Sequence, residues 1–272
     1  MAESVRDGAA AIPPGKLRYE ILGPLRVHGP GRSDLVSAHK MAAVLALLLL
    51  RADQIVPVEQ LVAEIWGERA PRRAVASLQV YVSHLRKLLA VPERPENPIV
   101  TRSPGYSLIL GDDGLDLHEF QELLETGRSE AGALRHEHAV VAFGAALSLC
   151  RGPALHGLEH IPAARAFTTW YEESRLECTE LLVESELALG RHRDLVGDLY
   201  TLISEHPLRE VFHRQLMLAL YRSGRQADAL AVYRSLRERL DRDLSLEPGR
   251  ALRDLHQAIL VADGGLEYRE AG

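Results

Sequence analysis

Cysteine is nearly missing from this chain: only Cys150 and Cys178 occur among 272 residues. That excludes a disulfide framework and a cysteine-based zinc site. Lysine is scarce too, since 29 of the 32 basic residues are arginine, a bias that fits a GC-rich genome rather than a function. No long hydrophobic run is present. The longest, Met41 to Leu50, has ten residues, half of a membrane span, and reads as a buried helix. Residues 1–16 lack the apolar core of a signal peptide and read as a short flexible tail. The sequence also lacks the motifs of the commoner enzyme classes. There is no G-x-x-x-x-G-K-[ST], because Gly15-Lys16 has no glycine five residues earlier. There is no H-E-x-x-H, no G-x-S-x-G and no cysteine–histidine grouping. The pairs His136/His138 and His156/His160 read as solvated rather than metal-ligating. No enzymatic activity, cofactor or metal is therefore expected, and the length leaves no room for a phospho-receiver domain.

What is present begins with an uneven charge. The formal net charge is −6, yet residues 16–110 carry 13 basic and 8 acidic residues, a net of +5. Residues 111–272 carry 18 basic and 28 acidic residues, a net of −10. Such asymmetry points to two domains, one facing a polyanion. With 46% apolar and 26% charged residues, the chain is neither disordered nor fibrous. The expected division is a tail over 1–16, a domain over 17–110, a second over 111–265 and a tail over 266–272. A soluble, cytoplasmic protein acting at the nucleoid is expected.

Leu17 to Val27 is β-rich and broken by Gly23-Pro24, so it reads as two short strands, with a third near Leu35 to Ser37. A helix follows from about His39 to Ala52 and carries the apolar run. Pro57 suits the first turn of a second helix, which Gly67 ends. Pro71 opens a third helix to about Ala90, with Val75, Leu78, Val82, Leu85 and Leu89 as its buried stripe. Its other face offers Ser77, Val80, Tyr81, His84 and Lys87, with Arg72, Arg73 and Arg86 nearby. Two β-like stretches, Ile99–Thr101 and Tyr106–Leu110, flank Arg102-Ser103-Pro104-Gly105. Proline then glycine predicts a type II turn with Arg102 near a hairpin tip. Three helices followed by an arginine-bearing hairpin form a winged helix-turn-helix pattern. Its third helix fits the major groove and its wing the minor groove.

Trp66-Gly67, the run Leu78-Gln79-Val80-Tyr81-Val82-Ser83-His84-Leu85-Arg86-Lys87-Leu88-Leu89, and Arg102-Ser103-Pro104-Gly105-Tyr106 resemble an OmpR/PhoB-type DNA-binding domain. The resemblance implies that Ser77, Val80, Tyr81, His84 and Arg86 approach bases or phosphates, and that Arg102 enters the minor groove. His84 stands where relatives often carry arginine.

Beyond an acidic segment at Asp112–Asp116, read as a hinge, every further element reads as helix. Helices are expected from Phe120, from Ala139 to Leu149, and from Pro162 to Leu189. A repeat then appears: Gly190-Arg191, Asp194, Leu199 and Leu202 recur 34 residues later as Gly224-Arg225, Asp228, Tyr233 and Leu236. That is the period of tetratricopeptide repeats, whose helix pairs stack to bury a common core. The fold class expected is mainly α: a winged helix followed by an all-α tetratricopeptide-like domain.

The order of the two domains, the closing run Ser245 to His256 and the run Leu147 to Leu155 resemble the Streptomyces antibiotic regulatory protein (SARP) family. There a winged helix precedes a bacterial transcriptional activator domain. Cys150 replaces the tryptophan usual in the second run. The resemblance implies activation of an antibiotic biosynthesis gene cluster. It also implies binding to direct repeats overlapping the promoter −35 region by two protomers side by side, and contact with RNA polymerase holoenzyme including its sigma factor. The rival reading is an adaptor whose repeats bind protein and whose winged helix does not bind DNA.

Overall fold

The computed structural model describes residues 13–267. Most of the first expected tail and residues 268–272 of the second lie outside the described residues. Among those described, ten helices accompany seven short strands, so the mainly α expectation holds. The chain divides into two compact units, one comprising residues up to 122 together with 146–175, the other 123–145 and 176 onward.

In the first unit, β1 (Arg18–Glu20), β2 (Arg26–Gly29) and β3 (Arg32–Leu35) form an antiparallel meander, with Tyr19 opposite Val27 and His28 opposite Ser33. The third strand thus starts earlier than expected, because its register is set by the Pro30-Gly31 turn. A short strand, β7 (Gly114–Leu115), adds in parallel to the free edge of β1. The acidic segment expected as a hinge is consequently pinned. The Asp113 carboxylate accepts the Leu17 amide at 2.9 Å and the Arg94 guanidinium at 2.6 Å.

Asp116 is buried and accepts the amides of Ile21 and Leu22 at 2.9–3.0 Å. Arg151 reaches the same carboxylate at 2.6 Å and also bonds Glu20. Its own amide donates to the Leu22 carbonyl at 2.8 Å, and the Leu155 amide donates to that of Gly23 at 2.9 Å. The Arg151–Leu155 stretch is thereby stitched onto the β1–β2 connection.

Helix α1 (His39–Leu49) buries all of residues 42–49. A helix apolar on every side must be covered on every side, and α2 (Val58–Trp66) and α3 (Ala74–Leu88) supply two of those covers. Gly67 ends α2 with φ +57. Helix α3 buries Ala74, Leu78, Val82 and Leu85, with Leu89 just beyond. Val75, expected in this stripe, is 49% exposed. It sits about 60° around the helix from Leu78, at the rim of the stripe, and Ala74 takes the buried place.

The second sheet joins β4 (Val56–Pro57), β6 (Gly105–Leu108) and β5 (Ile99–Arg102), with β6 central. The expected type II turn is not formed. The Ser103–Pro104 peptide is cis, and Gly105 is already in β6, paired with Arg102 and Pro57. Glycine is needed there for another reason: a Cβ would lie 1.9 Å from the Val56 carbonyl oxygen. Strand β4, too short to leave a period in the sequence, is what presses on it.

Helices α4 (Asp116–Gly132), α5 (His136–Ser148) and α6 (Pro162–Ala188) follow. The second unit is completed by α7 (Leu195–Glu205), α8 (Glu210–Arg222), α9 (Gln226–Leu244) and α10 (Arg250–Leu260). The 34-residue repeat is visible in the backbone itself. Gly190 and Gly224 have φ +77 and +76. The next amides, Arg191 and Arg225, donate to Glu186 and Leu220 at 3.1 and 2.9 Å. These are two copies of one glycine-terminated helix end. Leu199, Phe212, Leu216, Leu220, Tyr233 and Leu236 are buried in one cluster between the paired helices.

Candidate nucleic-acid interface

One side of α3 is kept free of the protein interior because its buried residues, Ala74, Leu78, Val82 and Leu85, all lie on the other. Taking 3.6 residues per turn, Ala76, Val80, Ser83 and Lys87 lie within about 40° of the direction opposite Leu78, and all four are exposed. His84 is exposed beside them. Arg72 and Arg73, also exposed, stand just before the helix. Among the described residues, no carboxylate forms an ion pair with Arg72, Arg73, Lys87 or Arg102, so their charges face solvent.

The two flanks of the helix are engaged. On one, half-buried Tyr81 stacks on Trp66 with ring centroids 6.3 Å apart and planes 21° from parallel. The Lys40 ammonium lies 5.6 Å from the centre of the Trp66 ring and donates to the Ile65 carbonyl at 2.6 Å. That bond satisfies a carbonyl at the end of α2. Ser77 is half-buried on the same flank. On the other flank, half-buried Arg86 donates through Nε to the Ile99 carbonyl at 3.0 Å and through Nη2 to Thr101 Oγ1 at 2.8 Å. Its guanidinium carbon stands 6.0 Å from the centre of the Tyr106 ring. Asn97 Nδ2 donates to the Arg86 carbonyl at 2.7 Å, while its Oδ1 accepts the Ile99 amide at 3.1 Å.

Strand β5 therefore lies along the C-terminal half of α3. Arg102, the residue after Thr101, is exposed at the end of the strand, next to the turn. The Val58 amide donates to the Pro104 carbonyl at 3.2 Å, tying that turn to the start of α2. Thus Arg72, Arg73, Val80, His84, Lys87 and Arg102 are exposed, whereas Ser77, Tyr81 and Arg86 sit on the flanks. Sequence reading passed over Ser83, which the helical period alone would have found, and Asn97 and Lys40, whose roles depend on contacts with no local signal.

Neither His136/His138 nor His156/His160 belongs to a larger group of ligating side chains: among the described residues no group of three or more histidine, cysteine or acidic side chains could hold an ion. His160 instead stacks on His39, with their Nε2 atoms 3.1 Å apart. Nor is any described helix long and apolar enough to cross a membrane.

Two family patterns cover the chain. Residues 33–108 match the transcriptional regulatory protein C-terminal domain, and residues 115–260 match the bacterial transcriptional activator domain. The chain is 35% identical to the regulatory protein DnrI of Streptomyces peucetius over 257 residues, 92% of this chain and 94% of that one. It belongs to the Streptomyces antibiotic regulatory protein family of transcriptional activators.

A longer family relative, the regulatory protein AfsR of Streptomyces coelicolor, is 37% identical over 93% of this chain, but the chain spans only 25% of AfsR. The solved structure of Mycobacterium tuberculosis EmbR, in complex with a low-affinity phosphopeptide, superimposes with a TM-score of 0.86 at 35% identity. The match covers 91% of this SARP chain and 65% of EmbR. The winged helix and the helical-repeat unit are thus shared family architecture.

Proposed function

We propose that this activator binds double-stranded promoter DNA sequence-specifically, with α3 in the major groove and Arg102 in the adjacent minor groove. Two protomers stand side by side on direct repeats overlapping the −35 region and recruit RNA polymerase holoenzyme through its sigma factor. The genes activated are those of a secondary-metabolite cluster, as with the antibiotic regulators it resembles.

One observation carries this reading: an exposed arginine ends a strand that is hydrogen-bonded to α3 through Arg86, and the free face of that helix offers base-reading chemistry without competing carboxylates. Val80 presents methyl groups suited to the thymine methyl. Ser83 and His84, exposed beside it, present hydrogen-bonding groups. Arg72, Arg73 and Lys87 supply charge for phosphates, with Ser77 and Tyr81 contributing from the flank. A narrow minor groove concentrates negative potential where a guanidinium enters. The head-to-tail arrangement predicts repeats spaced near one helical turn. Recruitment needs little energy, since about 1.4 kcal/mol of favourable contact raises polymerase occupancy tenfold.

The test is retention of a fluorescent promoter fragment, with competitor DNA, across a salt series. Three phosphate-facing cations per protomer predict a slope of log K against log salt of about −2.7, at about −0.9 per neutralised phosphate. Scrambling one repeat should weaken binding more than moving both repeats together. Salt-independent or absent retention would sink the reading and favour the adaptor alternative.

A further inference from the structure

We infer that Arg86 is a positioning residue rather than a DNA contact: it locks the wing to α3, so that Arg102 and the exposed face of α3 meet the duplex in one register. This rests on the DNA-binding reading above and names a part of its machinery.

Three features of Arg86 face the wing. Its Nε and Nη2 donate to Ile99 and Thr101 of β5 at 3.0 and 2.8 Å, and its guanidinium stands 6.0 Å from the centre of the Tyr106 ring in β6. Its main chain is held as well, because Asn97 at the root of the wing donates to the Arg86 carbonyl at 2.7 Å. A planar fork that donates in two fixed directions while lying near a ring is an arrangement that lysine cannot reproduce.

The other side of the wing is secured separately. The Pro104 carbonyl accepts the Val58 amide at 3.2 Å, and Gly105 abuts the Val56 carbonyl. The hairpin is therefore gripped by α2 from one side and by α3 from the other, and Arg86 supplies the side-chain part of the α3 grip. Arg102 lies one residue beyond the grip, so a small rotation of β5 about β6 carries its guanidinium away from the groove. Loss of Arg86 should act on affinity chiefly through Arg102.

The experiment is a double-mutant cycle on the full chain, with promoter-fragment affinity measured across salt and thermal melts as folding controls. Arg86→Gln and Arg102→Ala should each weaken binding about tenfold. The double variant should bind like Arg102→Ala alone rather than about a hundredfold more weakly than wild type, as independent contacts would give. Arg86→Lys, which keeps the charge, should lose as much as Arg86→Gln. Thr101→Val, which removes only the Nη2 acceptor, should lose part of it.

Multiplicative losses, or full affinity in Arg86→Lys, would overturn the inference and make Arg86 a phosphate contact. Should Arg86→Gln fail to fold, Arg86→Lys and Thr101→Val carry the same comparison against Arg102→Ala. Absence of salt-dependent binding by the wild-type protein would instead refute the DNA-binding reading itself, and this inference with it.

Discussion

Replacing Arg151 by methionine removes the guanidinium that bonds the Asp116 carboxylate while filling much of the same space. The Asp116 side chain is 1% exposed, that of Glu20 15% and that of Arg151 30%. Removing one partner of a buried pair typically costs ~3–5 kcal/mol, because a charge is stranded out of water. Two features reduce that here. Asp116 keeps the Ile21 and Leu22 amides, and solvent reaches part of Arg151. A loss of about 2–3 kcal/mol is expected, or about 4–12 °C in melting temperature at 2–4 °C per kcal/mol.

The loss should also depend on pH in a definite direction. Burial pushes the Asp116 carboxyl above its usual range, with the Ile21 and Leu22 amides and the Arg151 charge only partly offsetting it. Burial acts the same way on Glu20, but there the His28 hydrogen bond and the charges of Arg151, His28 and Arg18 win, and the pKa falls. Without Arg151 both carboxyls titrate higher, so in the variant they are neutralised at a higher pH than in wild type. The deficit should therefore shrink as the pH falls from about 7.5 through the ordinary carboxylate range to about 4. Urea denaturation followed by circular dichroism at the two pH values measures both effects. A deficit below about 0.5 kcal/mol, the range of exposed pairs, or one that grows in acid, would refute the reasoning.

Four further outcomes are expected. Gly105→Ala forces a Cβ to 1.9 Å from the Val56 carbonyl oxygen, so β4 and β6 must part. Stability should fall by about 2 kcal/mol or more, with DNA affinity lost alongside, and a melting curve like wild type would contradict it. Arg102→Ala removes an exposed side chain, so affinity should drop while the melting temperature stays within about 1 °C of wild type. His84→Ala should broaden sequence preference in a selection from randomised repeats; a uniform loss on all sequences would assign His84 to phosphate instead. Burial pushes the His213 imidazole below its usual pKa, the Pro207 carbonyl offsetting this only in part. The folded state therefore resists protonation, and stability should fall as pH drops through about 6.5. In His213→Gln that part of the pH dependence should vanish from urea midpoints at pH 7.5 and 5.5.

Much of the architecture could be read from the chain because it depends on neighbours in sequence. The run from Met41 to Leu50 makes α1 buried whatever packs on it. The spacing of Leu78, Val82, Leu85 and Leu89 settles which side of α3 is hidden, and so which side can meet DNA. Glycine at 190 and 224 ends two helices in the same way, because each end is a local hydrogen-bonding pattern. The exposed members of the candidate site, Val80, His84, Lys87 and Arg102, were legible for the same reason.

Tertiary structure decided the commitments between residues distant in sequence. Arg86 and Lys87 are adjacent and both basic, yet one is held by Ile99 and Thr101 while the other is exposed. Only the course of β5 distinguishes them. Gly105 looked like a turn glycine and is instead required by the passage of β4 against it. The acidic stretch around Asp113 and Asp116 looked like a hinge, but β1 and Arg151 make its carboxylates internal ligands of the fold. Periodicity records which side of an element is covered. It carries no record of what covers it, because that contact is made by a segment whose arrival no local pattern encodes.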